Sequence, residues 1–347
     1  MKTSGPIERT TTALKRWLRT LSPNALPPGA PTVTASPTPE PRPADDAGQR
    51  VADLLKPLVE SGRHFAYFDL WEEHGFHVTR NHFYDPIPDT RTLSDALWEE
   101  RSPLKGVDMN VEEQLRFLQE IFPQFAEEYN AFPTEKPEAP HQYYFNNSFF
   151  GGTDALVSYC MARHFAPSLM IEVGSGFSTY VAAQAARRNG HTELVCIEPY
   201  PQAFLKDPFP GVSDLIEKKV QAVDLSVFDR LKASDILFID TSHIARIGSD
   251  VNFLFFEVLP ALNPGVVVHV HDIFLPGEYP RNWVMKERRF WNEQYLLHAF
   301  LLYNTCFKVL FANSYMGLYY REAMQQTFPR APWWGGGSFW MQKGCDA

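Results

Sequence analysis

Short apolar runs recur through the C-terminal part of the chain, and most of them end on a polar side chain. The first, Met170-Ile-Glu-Val, carries an acid and passes into Gly174-Ser-Gly. Beyond it Val181, Ala182, Ala185 and Ala186 recur on one face of a helix predicted over 178–189, with Gly190 as its stop. The pattern repeats at Leu194–Ile197 before Glu198, Val220–Val223 before Asp224, Ile236–Ile239 before Asp240 and Val266–Val270 before His271-Asp272. Buried strands alternating with helical patterns predict an α/β fold with a parallel sheet. The strand tips of such a sheet line one crevice, so Glu198, Asp224, Asp240, His271 and Asp272 are expected to share it. A helix over about 286–303 and strands over 307–311 and 338–342, joined by a loop with a Pro-Trp-Trp-Gly-Gly-Gly turn, close the pattern.

The glycine turn is the most telling of these features. Glycines serve where backbone must turn sharply or admit a ligand without a Cβ in the way, and the following helix points free N–H groups into the same space. A nucleotide-like ligand suits such a turn, although the third glycine of the dinucleotide fingerprint is missing. Glu198 lies 22 residues past Gly176 at the next strand tip, where Rossmann-like sites bond ribose hydroxyls.

The run Ile-Glu-Val-Gly-Ser-Gly-Phe-Ser-Thr at 171–179, with Ile-Glu-Pro at 197–199, Phe-Ile-Asp-Thr-Ser-His at 238–243 and His-Asp-Ile-Phe at 271–274, resembles a class I S-adenosylmethionine-dependent methyltransferase. The resemblance covers roughly residues 150–347 and implies a Rossmann-like sheet of seven strands whose last strand runs antiparallel. It implies that Glu172, Gly174, Ser175, Gly176 and Ser178 surround the methionine part of the cofactor, that Glu198 takes the ribose hydroxyls and that Asp224 lies near the adenine. It also implies that an N-terminal extension covers the cofactor and shapes the acceptor pocket, with Tyr84, Asp85, Asn146 and Asn147 as candidate acceptor contacts. The alternatives are a nicotinamide oxidoreductase, a metal-dependent enzyme of the cephalosporin hydroxylase type and a non-catalytic nucleoside-binding module.

Composition narrows the partners. The 347 residues are 44% hydrophobic, enough for a full core, and the formal charge of −9 offers nucleic acid no general attraction. Cys160, Cys196, Cys306 and Cys345 are widely scattered and read as free thiols, which fits a reducing cytoplasm. No apolar run reaches the ~18 residues of a membrane span. Eight prolines between Pro23 and Pro43 predict an extended linker inside a leader over 1–50. Ahead of the linker, Leu14, Trp17, Leu18 and Leu21 recur at helical spacing among basic residues, so residues 7–21 are a candidate contact with a membrane surface or a partner. Residues 51–150 read as a helical and loop-rich cover, in which Asn110-Val-Glu-Glu signals a helix start, and residues 151–347 as the cofactor-binding domain.

Two catalytic devices are expected at the crevice. His243, three residues past Asp240, is a candidate base for the acceptor's proton. Related sugar and catechol O-methyltransferases imply the other, a divalent metal held by Asp240, His271 and Asp272, although His271 stands where those enzymes have an acid. His269 reads as a bonded core histidine. The expected reaction is methylation of a hydroxyl on a small molecule or saccharide, with Asp240, His243 and Asp272 as catalytic residues.

Overall fold

The computed structural model describes residues 46–345; the linker over 23–43 and the contact expected of residues 7–21 lie outside the described residues. The leader was expected to run to residue 50, but a helix already occupies Asp46–Glu60.

Seven strands form one sheet: β1 (Leu169–Val173), β2 (Glu193–Ile197), β3 (Asp214–Ile216), β4 (Ile236–Ile239), β5 (Val267–Val270), β6 (Phe307–Ala312) and β7 (Phe339–Lys343), in the order β3-β2-β1-β4-β5-β7-β6. The β1–β5 block is parallel, and β7 is antiparallel to both β5 and β6. Strands β1, β4 and β5 are buried at every position, which explains runs that are apolar apart from the buried Glu172 and His269: a sheet covered on both faces needs no polar alternation. The strand order reverses between β1 and β4, the place where a parallel sheet opens a crevice at its C-terminal edge.

Four local expectations differ from the fold. Val220–Ala222 is a 3-10 turn rather than a strand, because Val220 and Val223 point into the core three residues apart while Gln221 and Ala222 are exposed. The third strand is the short, partly polar Asp214–Ile216, which carries no apolar run to reveal it. The helix expected over 286–303 begins only at Glu293, since Arg288 adopts a left-handed conformation (φ 60°) that helix geometry forbids. Between β6 and β7 stand two short helices, Asn313–Tyr319 and Arg321–Thr327, ahead of the glycine turn.

The cysteine reading is corrected as well. Cys160 and Cys196 are buried free thiols, but Cys306 and Cys345 form a disulfide with Cα atoms 5.1 Å apart. Antiparallel pairing sets Phe307 opposite Lys343, so residues 39 positions apart meet at one end of the sheet. With only two free thiols and one disulfide, the cysteines do not point to a reducing compartment. Among the described residues no helix is long and apolar enough to cross a membrane.

Candidate functional site

The turn after β1 is built by two glycines with different tasks. Gly174 is left-handed (φ 84°), donates its N–H to the Ile197 carbonyl (2.9 Å) and lies so close to β4 that a Cβ would sit 1.6 Å from the Asp240 carbonyl oxygen. This strand contact by itself demands glycine there. An added Cβ at Gly176 meets nothing within 4 Å, so open space lies beside that residue. Gly176 donates its N–H to Thr179 Oγ1 (3.1 Å), and Thr179 donates to Glu172 Oε2 (2.6 Å), which pins the turn to the first turn of the helix Phe177–Asn189.

Glu172 is fully buried, with Oε1 unpaired, and burial raises its pKa to about 7. It was expected at the cofactor's methionine part, but a side chain without exposed surface braces the turn from beneath. Ser175 and Ser178 are nearly buried in the same turn, and the Ser175 hydroxyl donates to the Glu172 carbonyl (3.3 Å). Glu198 sits half-buried at the tip of β2 and accepts from the Tyr200 N–H (2.8 Å); burial raises its pKa against the pull of the Tyr200 and Ser175 N–H groups. Asp224 is exposed, follows the 3-10 turn instead of a strand and bonds the Ser226 N–H (2.9 Å), so it is not one of the strand-tip acids.

At the adjoining tips of β4 and β5 the ligand-capable atoms of Asp240, His243 and Asp272 all lie within 4.8 Å of one another. His243 Nε2 is 3.3 Å from Asp240 and 3.5 Å from Asp272, and its Nδ1 is 2.9 Å from Glu293 Oε2. Both His243 (φ 59°) and Asp272 (φ 57°) are left-handed, a conformation that residues with a Cβ hold only when their surroundings over-determine it. The N–H groups of Asn292 and Glu293 hold the His243 carbonyl (3.1 and 3.2 Å), and the Gly337 carbonyl accepts from the Ile273 N–H (2.9 Å). A Cβ at Gly337 would come 2.7 Å from the Asp272 Cα. The triple-glycine turn thus lets β7 approach the tip of β5.

His271, expected in the metal set, borders this group but is not among the three residues whose ligand atoms converge. It is buried, with Nε2 3.6 Å from Asp272 Oδ1. Strand alternation turns His271 to the side of His269, which bonds Ser338 Oγ (3.0 Å). The charges are mutually dependent. Burial disfavours ionisation of Asp272 and raises its pKa; for Asp240 the charge of His271 and the hydrogen bond to His243 outweigh burial and hold the carboxyl below its usual range. Burial opposes a charged His243, but Asp240, Glu293 and Asp272 raise its pKa well above the ordinary value.

The sequence patterns missed Glu293, Asp154 and Trp291. Glu293 is a fully buried acid in the first turn of an apolar helix, an ordinary place for an acid, so no local pattern marked it. Asp154, also buried, accepts from the N–H groups of Gly337 (3.0 Å) and Ser338 (2.8 Å) and so holds the glycine turn. Trp291 packs on His243 at 4.3 Å between ring centres and is itself covered by Arg289. Among the cover residues, Asn147 caps its own turn by accepting from the Phe149 and Phe150 N–H groups, Asn146 bonds Glu135, and Asp85 lies 3.8 Å from Arg80.

The family model described as "Methyltransferase domain" matches residues 171–273, the span from β1 to just past Asp272. An uncharacterized protein of Archaeoglobus fulgidus is 34% identical over 164 residues, covering 45% of this chain and 74% of that relative. Among solved structures, the O-methyltransferase TomG from Streptomyces achromogenes, involved in tomaymycin synthesis, matches at 15% identity with a TM-score of 0.36, covering 65% of this chain and 88% of its own. A methyltransferase from Geobacter sulfurreducens matches at 15% identity with a TM-score of 0.31, covering 69% and 98%. Likenesses that distant say nothing of substrate.

Proposed function

Because the chain belongs to the class I S-adenosylmethionine-dependent methyltransferase family, we propose that it methylates a hydroxyl of a small molecule or saccharide presented at the Asp240–His243–Asp272 cluster. One observation carries the reading: Gly174 packs directly on the Asp240 carbonyl, so the turn that would cradle the cofactor and the cluster that would receive the acceptor are contiguous. In the reaction the sulfonium–methyl bond breaks as the oxygen–methyl bond forms, leaving S-adenosylhomocysteine, a methyl ether and one proton to be removed. The protein's task is chiefly alignment and management of that proton.

The residues have distinct parts in this scheme. Gly176 leaves the space beside the turn open for the cofactor, and Glu198 bonds its ribose. Asp240 and Asp272 offer two oxygen donors and His243 Nε2 one nitrogen, while Glu293 fixes the His243 ring through Nδ1, the arrangement by which a carboxylate orients a metal-binding histidine. This donor set fits a divalent cation such as manganese, iron or zinc. When bound, such a cation would lower the pKa of an acceptor hydroxyl and orient it. With no cation bound, His243 suits a charged orienting group better than a free base, because three carboxylates surround it and favour its protonated form; a bound cation would take the place of the Nε2 proton.

Labelled methyl transfer from S-adenosylmethionine, measured over a panel of hydroxyl-bearing small molecules and saccharides with and without chelator, tests the proposal. Transfer to oxygen should stop with chelator and in Asp272→Asn, while S-adenosylhomocysteine still binds by calorimetry. Full turnover in chelator together with loss in His243→Ala would instead establish a metal-free histidine base.

A further inference from the structure

A cavity of about 440 Å³ lies between the cover and the segment ahead of the Glu293–Leu301 helix, and three arginines, Arg80, Arg91 and Arg288, help to wall it together with Asn81, Asp89 and Thr90. The volume is within the range of small-molecule sites, roughly 300–1,000 Å³. A concentration of guanidinium groups is unexpected on a chain whose formal charge is −9. Their pairing is uneven. Arg91 is committed to Asp89 by two side-chain bonds (2.8 and 2.6 Å). Arg80 lies 3.8 Å from Asp85 without a hydrogen bond, and its Nε is buried with no acceptor. Arg288 has no ion pair among the described residues and donates from one nitrogen to Thr90 Oγ1 (3.0 Å). Arg288 therefore brings unfilled donors to this cavity, and Arg80 adds a guanidinium held only by a long ion pair.

The backbone at Arg288 and Arg289 links the cavity wall to the surroundings of the proposed acceptor site. Arg288 is left-handed, and this kink sends consecutive guanidinium groups to different places: Arg288 reaches Thr90 on the cover, while Arg289 lies over Trp283 and Trp291 at 4.6 and 5.0 Å. Trp291 in turn packs on His243. Arg288 in the cavity wall and Arg289 over Trp291 are consecutive residues, whose Cα atoms are only about 3.8 Å apart.

We propose that this cavity binds an oxyanion, a phosphate or carboxylate carried by the methyl acceptor, with Arg288 and Arg80 as the residues that recognise it. Planar guanidinium forks match such groups in two hydrogen bonds at once, which gives direction as well as charge. The acceptor class is then a hydroxyl compound with an anionic end, such as a sugar phosphate or a hydroxy acid; this rests on the methyltransferase reading above. An anion held here while its hydroxyl lies at Asp272 and His243 would fix the acceptor at two points.

Calorimetric titration of the full chain, saturated with S-adenosylhomocysteine so that the glycine turn is filled, tests it with inorganic phosphate and acetate as probes at constant ionic strength. Binding of S-adenosylhomocysteine itself, measured first on the same samples, reports separately on the methyltransferase reading. Saturable binding of phosphate or acetate is expected, weakened roughly tenfold or more in Arg288→Gln and Arg80→Gln by loss of a charge-assisted hydrogen bond. Arg288→Lys should keep part of it, since the charge survives without the fork. The preference between the two probes identifies the anion. Absence of saturable binding by either probe, or binding unchanged in both glutamine variants that still bind S-adenosylhomocysteine, overturns the proposal.

Discussion

Substitution of the two turn glycines should separate packing from ligand access. Gly174→Ala would place a methyl group 1.6 Å from the Asp240 carbonyl oxygen on a backbone at φ 84°. The left-handed conformation costs a residue with a Cβ about 1–2 kcal/mol. Forcing two packed strand tips apart adds about 1–3 kcal/mol, for a loss of roughly 2–5 kcal/mol. With an unfolding entropy of about 2.1 cal/mol/K per residue over residues 46–345, about 300 in all, each degree is worth ~0.63 kcal/mol, so Tm should fall by roughly 3–8 °C. Gly176→Val meets no atom near its added Cβ and should leave Tm within about 1 °C, as surface changes of about 0.5 kcal/mol do. It would nonetheless fill the space proposed for the cofactor, and S-adenosylhomocysteine binding should fall below detection. Differential scanning calorimetry and a titration on the same samples read both quantities. Equal Tm losses in the two variants, or wild-type affinity in Gly176→Val, would refute this division of roles.

Two further outcomes follow from buried groups and from the disulfide. Burial lifts the folded-state pKa of Glu172 from 4.5 to about 7, so the folded chain binds more protons between those values; its stabilising share is complete below pH 4.5 and is lost as pH rises through about 7. Glu172→Gln, which keeps the shape, should remove up to about 3 kcal/mol of that fall, and a Tm profile from pH 5 to 8 parallel to wild type would contradict it. Reducing the Cys306–Cys345 bond frees a 39-residue loop in the unfolded chain and should cost about 4 kcal/mol, seen as a lower urea midpoint in dithiothreitol; an unchanged midpoint in verified reduced protein would contradict it.

Much of the sheet could be read from local pattern because its strands are buried on both faces. Mainly apolar runs at β1, β2, β4 and β5, with a polar residue after β2, β4 and β5, state their own burial. The closing strands were legible for the same reason. Residues 214–216 and 220–223 were not, since a three-residue strand has too few positions to show a period and two valines three apart mimic one. Asp240, His243 and Asp272 were legible as strand-tip groups, whereas the exchange of His271 for His243 was not, because alternation along β5 and a left-handed loop residue decide which ring faces the cluster.

Periodicity, turn residues and strand-tip acids thus dictated the architecture, the glycine turn and the neighbourhood of the chemistry, all consequences of burial and backbone sterics within a few residues. Long-range meetings were settled by the fold: Gly174 on Asp240, Glu293 on His243, Asp154 under the triple-glycine turn and Cys306 bonded to Cys345. Each joins residues distant in the chain, where no local pattern constrains the pairing and only the order and register of the strands bring the partners within reach.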